Sequence, residues 1–139
     1  MIVLDTNIIS EIFRPHPSQQ VLSWLASLTD DVAITTITLA ELLAGVQRLP
    51  DGKRKTQLDS AVNAAVEPYR HTQSILAFDS EAAAEYAKVL AGREREGRPI
   101  SMADAQIAAI CRAYGAICAT RNIKDFTATG IECVNPWTV

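Results

Sequence analysis

The chain has 139 residues, the size of one ordinary domain and enough to bury a core that needs no disulfides or structural metal. Apolar residues make up 48% and aromatics only 6%, a share carried by Ala, Ile, Leu and Val that suits helices packed on a buried sheet. A net charge of −3 argues against a general nucleic-acid coat, whose binding is driven by phosphate neutralisation, and no apolar run approaches the roughly 18 residues of a membrane span.

Met1-Ile2-Val3-Leu4 is a short apolar run that meets a charge at Asp5, so neither a secretory leader nor a membrane anchor is expected and the protein reads as cytoplasmic. Asp5-Thr6-Asn7 favours a helix start, and Ile8, Ile9, Ile12 and Phe13 follow at helical spacing until Pro15 and Pro17 stop them. Ser18 can cap a second helix with Val21, Leu22, Leu25 and Leu28 on one face around Trp24. Val32 to Thr35 is a second strand. Thr36 or Thr38 opens a helix through Leu39, Leu42, Leu43, Val46 and Leu49, ended by Pro50-Asp51-Gly52, and a polar helix runs from about Lys53 to Val66. Ser74 to Phe78 is a third strand, and Asp79 or Ser80 can cap a long Ala-rich helix that closes in the charged stretch Gly92 to Arg98. Met102 to Tyr114 is a helix stopped at Gly115. Ala116 to Ala119 and Ile131 to Val134 are the last strands.

Short strands alternating with helices imply crossover connections, hence a mostly parallel sheet with helices on both faces and an α/β fold in a single domain, 1–139. In such a sheet, ligands bind beyond the C-terminal strand ends. The informative acids sit there: Asp5 ends the first strand, Glu41 lies one turn into the helix after the second, Asp104 lies in the first turn of the Met102 helix, and Asn122 and Asp125 follow the fourth strand.

Each acid has an ordinary structural role as well. Asp5 can be a helix N-cap, Glu41 a solvated helix residue, Asp104 a favourable charge at a helix start, and Asp125 the cap of a short turn. Two features weigh against those roles. Glu41 is surrounded one turn away by Ile37, Thr38, Ala44 and Gly45, which predicts a carboxylate approaching packed backbone; the face of Asp104 continues through Ile107, Ala108 and Cys111, with no Lys or Arg one turn away to pair with it. Four acids at strand ends or helix starts are economically explained by a shared divalent cation. Oxygen ligands without a His and Cys set point to Mg²⁺ or Mn²⁺ rather than zinc. Such an ion lowers the pKa of water and stabilises charge on a phosphate undergoing displacement, which is phosphodiester hydrolysis. Metal binding by four acids would also turn the charge balance positive, leaving Lys53-Arg54-Lys55, Arg93, Arg95, Arg98, Arg121 and Lys124 to meet a phosphate backbone.

Four segments, Ile2 to Ser10, Thr36 to Val46, Ala103 to Ala109 and Ala119 to Phe126, in this order and at this spacing, strongly resemble the PIN-domain ribonucleases. The chain is similar in particular to the VapC-type toxins, and the closing Asn135-Pro136-Trp137 to their FitB-like branch. The resemblance implies a PIN-like three-layer sandwich with a twisted parallel sheet of about five strands. It further implies a Mg²⁺- or Mn²⁺-dependent endoribonuclease, the toxin of a toxin–antitoxin pair, acting on an RNA substrate, forming a homodimer and inhibited by a small cognate antitoxin. By the same resemblance Asp5, Glu41, Asp104 and Asp125 are the catalytic acids, with Asp5 and Asp104 as metal ligands. Thr6, Asn7, Thr120 and Asn122 give orienting or substrate-binding support. The slot two residues after Thr120, commonly Asp in the family, holds Asn122, so Asp125 is expected to complete the quartet.

Other signals carry less. His16 and His71 have no triad-like neighbours, no glycine-rich nucleotide loop is present, and Cys111, Cys118 and Cys133 read as buried thiols. The stripe Ala82, Tyr86, Val89, Leu90 reads as core or dimer surface, the basic runs 53–55 and 93–98 as solvated helix surface, and Trp24 and Trp137 as packing residues. The competing functions are a receiver-like aspartyl phosphotransferase and a catalytically weak PIN-like module that binds RNA or protein.

Overall fold

A computed structural model describes all residues, 1–139. In chain order it contains β1 (Ile2–Leu4), α1 (Thr6–Ile12), α2 (Gln19–Ser27), β2 (Val32–Thr35), α3 (Thr36–Gln47), α4 (Lys53–His71), β3 (Ile75–Leu76), α5 (Ser80–Arg95), α6 (Met102–Tyr114), β4 (Ile117–Ala119), a 3-10 turn (Ile123–Phe126) and β5 (Cys133–Val134). All strand pairings are parallel and the order is β3-β2-β1-β4-β5. The chain therefore builds outwards from β1 to β3, then returns to the other side of β1 for β4 and β5. A crevice opens where that direction reverses, at the C-terminal ends of β1 and β4.

Alternation along the strands divides the core in two. Val3, Ala33, Leu76 and Cys118 face α5 and α6, packing with Ala82, Val89, Ala108 and Ile110. Ile2, Leu4, Ile34 and Ala119 face α1 to α4, packing with Ile8, Val21, Val46, Val62 and Val66. These are the three layers expected from the sequence. Each fully buried Ile or Leu among them contributes about 1.5–3 kcal/mol relative to exposure.

Element starts follow local chemistry. Ser18, Thr35, Asp79 and Ser101 cap α2, α3, α5 and α6 through their side-chain oxygens, and Gly115 adopts φ 62° to stop α6. Several boundaries differ from the sequence reading: β4 starts at Ile117 rather than Ala116 and β5 at Cys133 rather than Ile131. Helix α4 runs on to His71 with Pro68 inside its last turns, because Tyr69 continues the apolar face of Val62 and Val66. Helix α3 ends at Gln47, before Leu49, and β3 shrinks to two residues because Phe78 leaves the strand to meet Tyr86 edge-on at 5.7 Å. No helix is long and apolar enough to cross a membrane.

Candidate active site

Asp5 prolongs β1 by one residue, its N–H donating to the Ala119 carbonyl at 2.9 Å. It is also the N-cap of α1, so strand pairing and helix start fix its backbone together. The side chain is 6% exposed. Oδ1 accepts from the Thr6 N–H at 2.8 Å; Oδ2 accepts from the Thr120 hydroxyl at 2.8 Å and the Asn7 amide at 3.3 Å. Burial pushes the Asp5 carboxyl above its ordinary range, the bonds from Thr120 and Thr6 oppose that rise, and the charges of Asp104 and Glu41 add to it.

Thr120 closes β4 on the other side of the crevice and is fully buried. Its hydroxyl donates to Asp5 and accepts from the Asn7 amide at 3.3 Å and the Asn122 N–H at 3.1 Å, the full capacity of a hydroxyl. Asn7 is held in turn by the Arg121 N–H on its Oδ1 at 3.2 Å. Thr120 and Asn7 thus lock one orientation of Asp5. The Asn122 side chain, expected to orient ligands, is exposed and makes no hydrogen bond within the chain.

Glu41 departs from its sequence reading. It is exposed rather than set against packed backbone, and its Oε1 is bonded to the Thr6 hydroxyl at 2.8 Å. Thr6 is bonded also to the buried Thr38 hydroxyl at 3.0 Å. The small residues around Glu41 open space instead of filling it: a groove of about 250 Å³ lies between Thr6, Ser10, Glu41, Gly45 and Leu58, and a Cβ on Gly45 would meet nothing within 4 Å.

Asp104 occupies the first turn of α6, its N–H capped by the Ser101 hydroxyl at 3.1 Å. The residue is half-buried, while Ile107, Ala108 and Cys111 behind it are in the core, as their spacing predicts. Burial raises the Asp104 carboxyl; its contact with Ser101 opposes this, the charges of Asp125 and Glu41 raise it further, and the charge of Arg93 lowers it. Asp125 is half-buried in the 3-10 turn after β4, its N–H on the Asn122 carbonyl at 3.0 Å. Asp5, Glu41 and Asp104 therefore lie within electrostatic reach of one another, and Asp125 within reach of Asp104. Four ion pairs occur in the molecule, Arg14–Glu11, Lys55–Asp51, Lys88–Glu85 and Arg112–Glu85, and none involves these acids.

No three His, Cys, Asp or Glu side chains converge closely enough to form a ready-made metal cage. The donors present, all oxygen and none paired with a cation, fit a hard divalent ion that keeps several waters and takes one or two carboxylates from protein, the habit of Mg²⁺. Asp5 and Asp104 are the two whose protonation equilibria are raised and which a cation would restore.

The basic run 93–98 needs a correction. Arg95 and Arg98 are exposed, but Arg93 is 6% exposed and hydrogen-bonded to four backbone carbonyls, so it is neither solvated surface nor available to phosphate. Its position continues the stripe Ala82, Tyr86, Val89, Leu90, read as core or dimer surface, of which Ala82 and Val89 are in the core and Tyr86 and Leu90 pack half-buried against it. Lys53 and Arg54 are exposed. Trp24 and Trp137 pack against the core, and the Arg121 guanidinium lies over the Trp137 ring at 5.0 Å. Cys111 and Cys118 are buried thiols as read from the sequence, but Cys133 is only half-buried.

A parallel sheet in the order 3-2-1-4-5, with unpaired acids at its switch point, defines a doubly wound α/β domain whose ligand crevice lies at the C-terminal strand ends. The PIN domain model matches residues 2–131, and the chain belongs to the PIN-domain family. It is 40% identical to the Toxin FitB of Neisseria gonorrhoeae (strain ATCC 700825 / FA 1090) over 138 residues, covering 99% of both chains. It is 38% identical to the VapC ribonuclease Y4jK of Sinorhizobium fredii (strain NBRC 101917 / NGR234) over 138 residues, covering 99% of this chain and 98% of that one. Its structure matches the crystal structure of FitAcB from Neisseria gonorrhoeae with a TM-score of 0.92 at 39% identity, covering 100% of each chain.

Proposed function

We propose that residues 1–139 form a single PIN domain that acts as a divalent-metal-dependent endoribonuclease, the toxin of a toxin–antitoxin pair. The observation that carries the activity is the cluster Asp5, Glu41, Asp104 and Asp125, gathered from four chain segments and left without a cationic partner. The likeness to a VapC ribonuclease and to the Toxin FitB supports RNA as substrate and a toxin's role. A homodimer, a small inhibitory antitoxin and a cytoplasmic site of action belong to the same reading.

Asp5 and Asp104 would hold Mg²⁺ or Mn²⁺, with Asp125 completing the acidic set from across the crevice. A divalent cation, when bound, supplies positive charge to the scissile phosphate and makes water easier to deprotonate. Thr120 and Asn7 hold the Asp5 carboxylate in one rotamer, so its free lone pairs point consistently and no reorganisation accompanies the reaction. Glu41 is exposed and bonded only through Oε1, so Oε2 can accept a proton from water attacking the phosphate. Exposed Arg121, Lys124 and Lys53 are available to phosphates of the RNA strand.

Purified protein incubated with a fluorogenic RNA should cleave it in Mg²⁺ or Mn²⁺ and stop in EDTA. The Asp104→Asn protein, equally folded by circular dichroism, should be inactive. Cleavage that persists in EDTA, or at an unchanged rate in Asp104→Asn, removes the mechanism.

A further inference from the structure

Arg93 lies near the end of α5 with almost no exposure and no carboxylate paired to it. Its guanidinium makes four hydrogen bonds, all to backbone carbonyls. Nε donates to the Arg98 carbonyl at 2.8 Å and Nη2 to that of Pro99 at 2.9 Å; Nη1 donates to Asp125 at 2.9 Å and Thr127 at 2.7 Å. These carbonyls come from two separate segments. One leads into α6 and Asp104; the other is the 3-10 turn that bears Asp125.

The local sequence builds this arrangement. Gly97 takes φ 64°, and the Gly97 and Arg98 N–H groups donate to the carbonyls of Glu94 and Arg93 at 3.0 and 2.9 Å, which turns the chain sharply off α5. That turn brings the Arg98 and Pro99 carbonyls back onto the Arg93 side chain. A hydrophobic residue at 93 would continue the stripe of Ala82 and Val89 without burying a charge, whose desolvation is costly. It could not tie two polar segments together. A planar guanidinium can, because its donors fan out towards acceptors on different sides, whereas a lysine ammonium is a single point.

We infer that Arg93 is a positioning residue that clamps the Asp104 and Asp125 segments at a fixed separation and thereby sets the affinity of the acid cluster for a divalent cation. The inference rests on the proposed role of Asp104 and Asp125 and extends it to a residue that touches neither carboxylate. Arg112 provides an internal control. It too is a partly buried arginine, bonded to the Thr129 carbonyl at 2.8 Å and to Glu85 at 2.8 Å, but at the opposite end of α6.

The test uses the full chain, with Mn²⁺ titrated by calorimetry in the absence of RNA. Arg93→Lys keeps the charge and loses the fork; it should weaken Mn²⁺ binding by about 10- to 100-fold, the range typical of residues that orient ligands from outside. Arg112→Lys should bind as wild type does. Gly97→Ala leaves Arg93 in place and strains the turn that feeds it; open space around that Cβ lets the protein fold, and a few-fold weakening is expected. RNA cleavage should show the same order, and in an Asp125→Asn background Arg93→Lys should add little further loss. Unchanged Mn²⁺ affinity in Arg93→Lys, or equal weakening in Arg112→Lys, overturns the clamp while leaving the nuclease reading intact. Wild-type protein that takes up no Mn²⁺ overturns the metal reading and the clamp with it.

Discussion

Helices α1 and α6 each carry a charged group near both ends, and the two ends behave oppositely. Asp5, at the start of α1, is 6% exposed with its carboxyl raised; Glu11, near the end of the same helix, is 4% exposed with its carboxyl lowered. At Asp5 desolvation is the largest influence, whereas at Glu11 the hydrogen bond from the Ser18 N–H comes first. Glu11 accepts from the Ser18 N–H at 2.8 Å and from Arg14 at 3.2 Å, bonds that outweigh its desolvation, while Asp5 has only neutral donors and faces Asp104 and Glu41. Helix α6 repeats the contrast, with Asp104 unpaired at its start and Arg112 paired with Glu85 at its end. The ends at the C-terminal edge of the sheet are left electrostatically incomplete, and the far ends are complete. An acid that serves the fold brings its own counter-charge; one that serves a ligand leaves room for it.

The contrast breaks most sharply under neutralisation. Asp5→Asn or Asp104→Asn should reduce RNA cleavage by more than about 100-fold, beyond the range usual for outer partners. In Asp104→Asn the thermal midpoint of metal-free protein should be unchanged or higher because a repelling charge is gone, whereas Asp5→Asn sets an amide N–H against buried donors and lowers it. Thr120→Val is isosteric but leaves the Asp5, Asn7 and Asn122 groups each short of a partner. It should cost about 1–3 kcal/mol in denaturant unfolding and slow cleavage by about 10-fold. Glu11→Gln should do the reverse of Asp104→Asn, lowering the thermal midpoint while cleavage at a temperature well below it stays close to wild type.

The smallest effect is the pH profile of metal-free stability, and its sign separates the two kinds of acid. The raised carboxyls of Asp5 and Asp104 bind protons more tightly in the folded chain, so they add stability as pH falls from neutral through their raised range towards the ordinary Asp value. The lowered carboxyls of Glu11 and Glu85 stabilise above the ordinary Glu value and lose that contribution as pH falls through their lowered range. In Asp5→Asn/Asp104→Asn protein the gain on mild acidification should vanish and the loss at lower pH should remain, as followed by thermal melts.

Much of this was legible in the sequence because the signals are local. Asp5, Glu41, Asp104 and Asp125 each follow a strand or open a helix, and the caps Ser18 and Asp79 and the stop at Gly115 are set by neighbouring residues. What was not legible depends on long-range contact. The Thr38 to Thr6 to Glu41 chain of hydroxyls spans two elements, and the exposure of Glu41 depends on a groove that small residues leave open. Arg93 hides in a charged run whose composition says surface, and only its helical phase says core. Pro68 invites an early end to α4, which the buried face ending in Tyr69 overrides.

The most direct measurement is Mn²⁺ binding to wild-type protein, Asp104→Asn and Glu11→Gln, followed by calorimetry at one pH near neutrality. Saturable binding in wild type and Glu11→Gln, lost in Asp104→Asn, is the predicted result. Binding of equal strength in Asp104→Asn, or binding lost in Glu11→Gln alone, would contradict the idea that the unpaired acids at the sheet's C-terminal edge are kept for a cation.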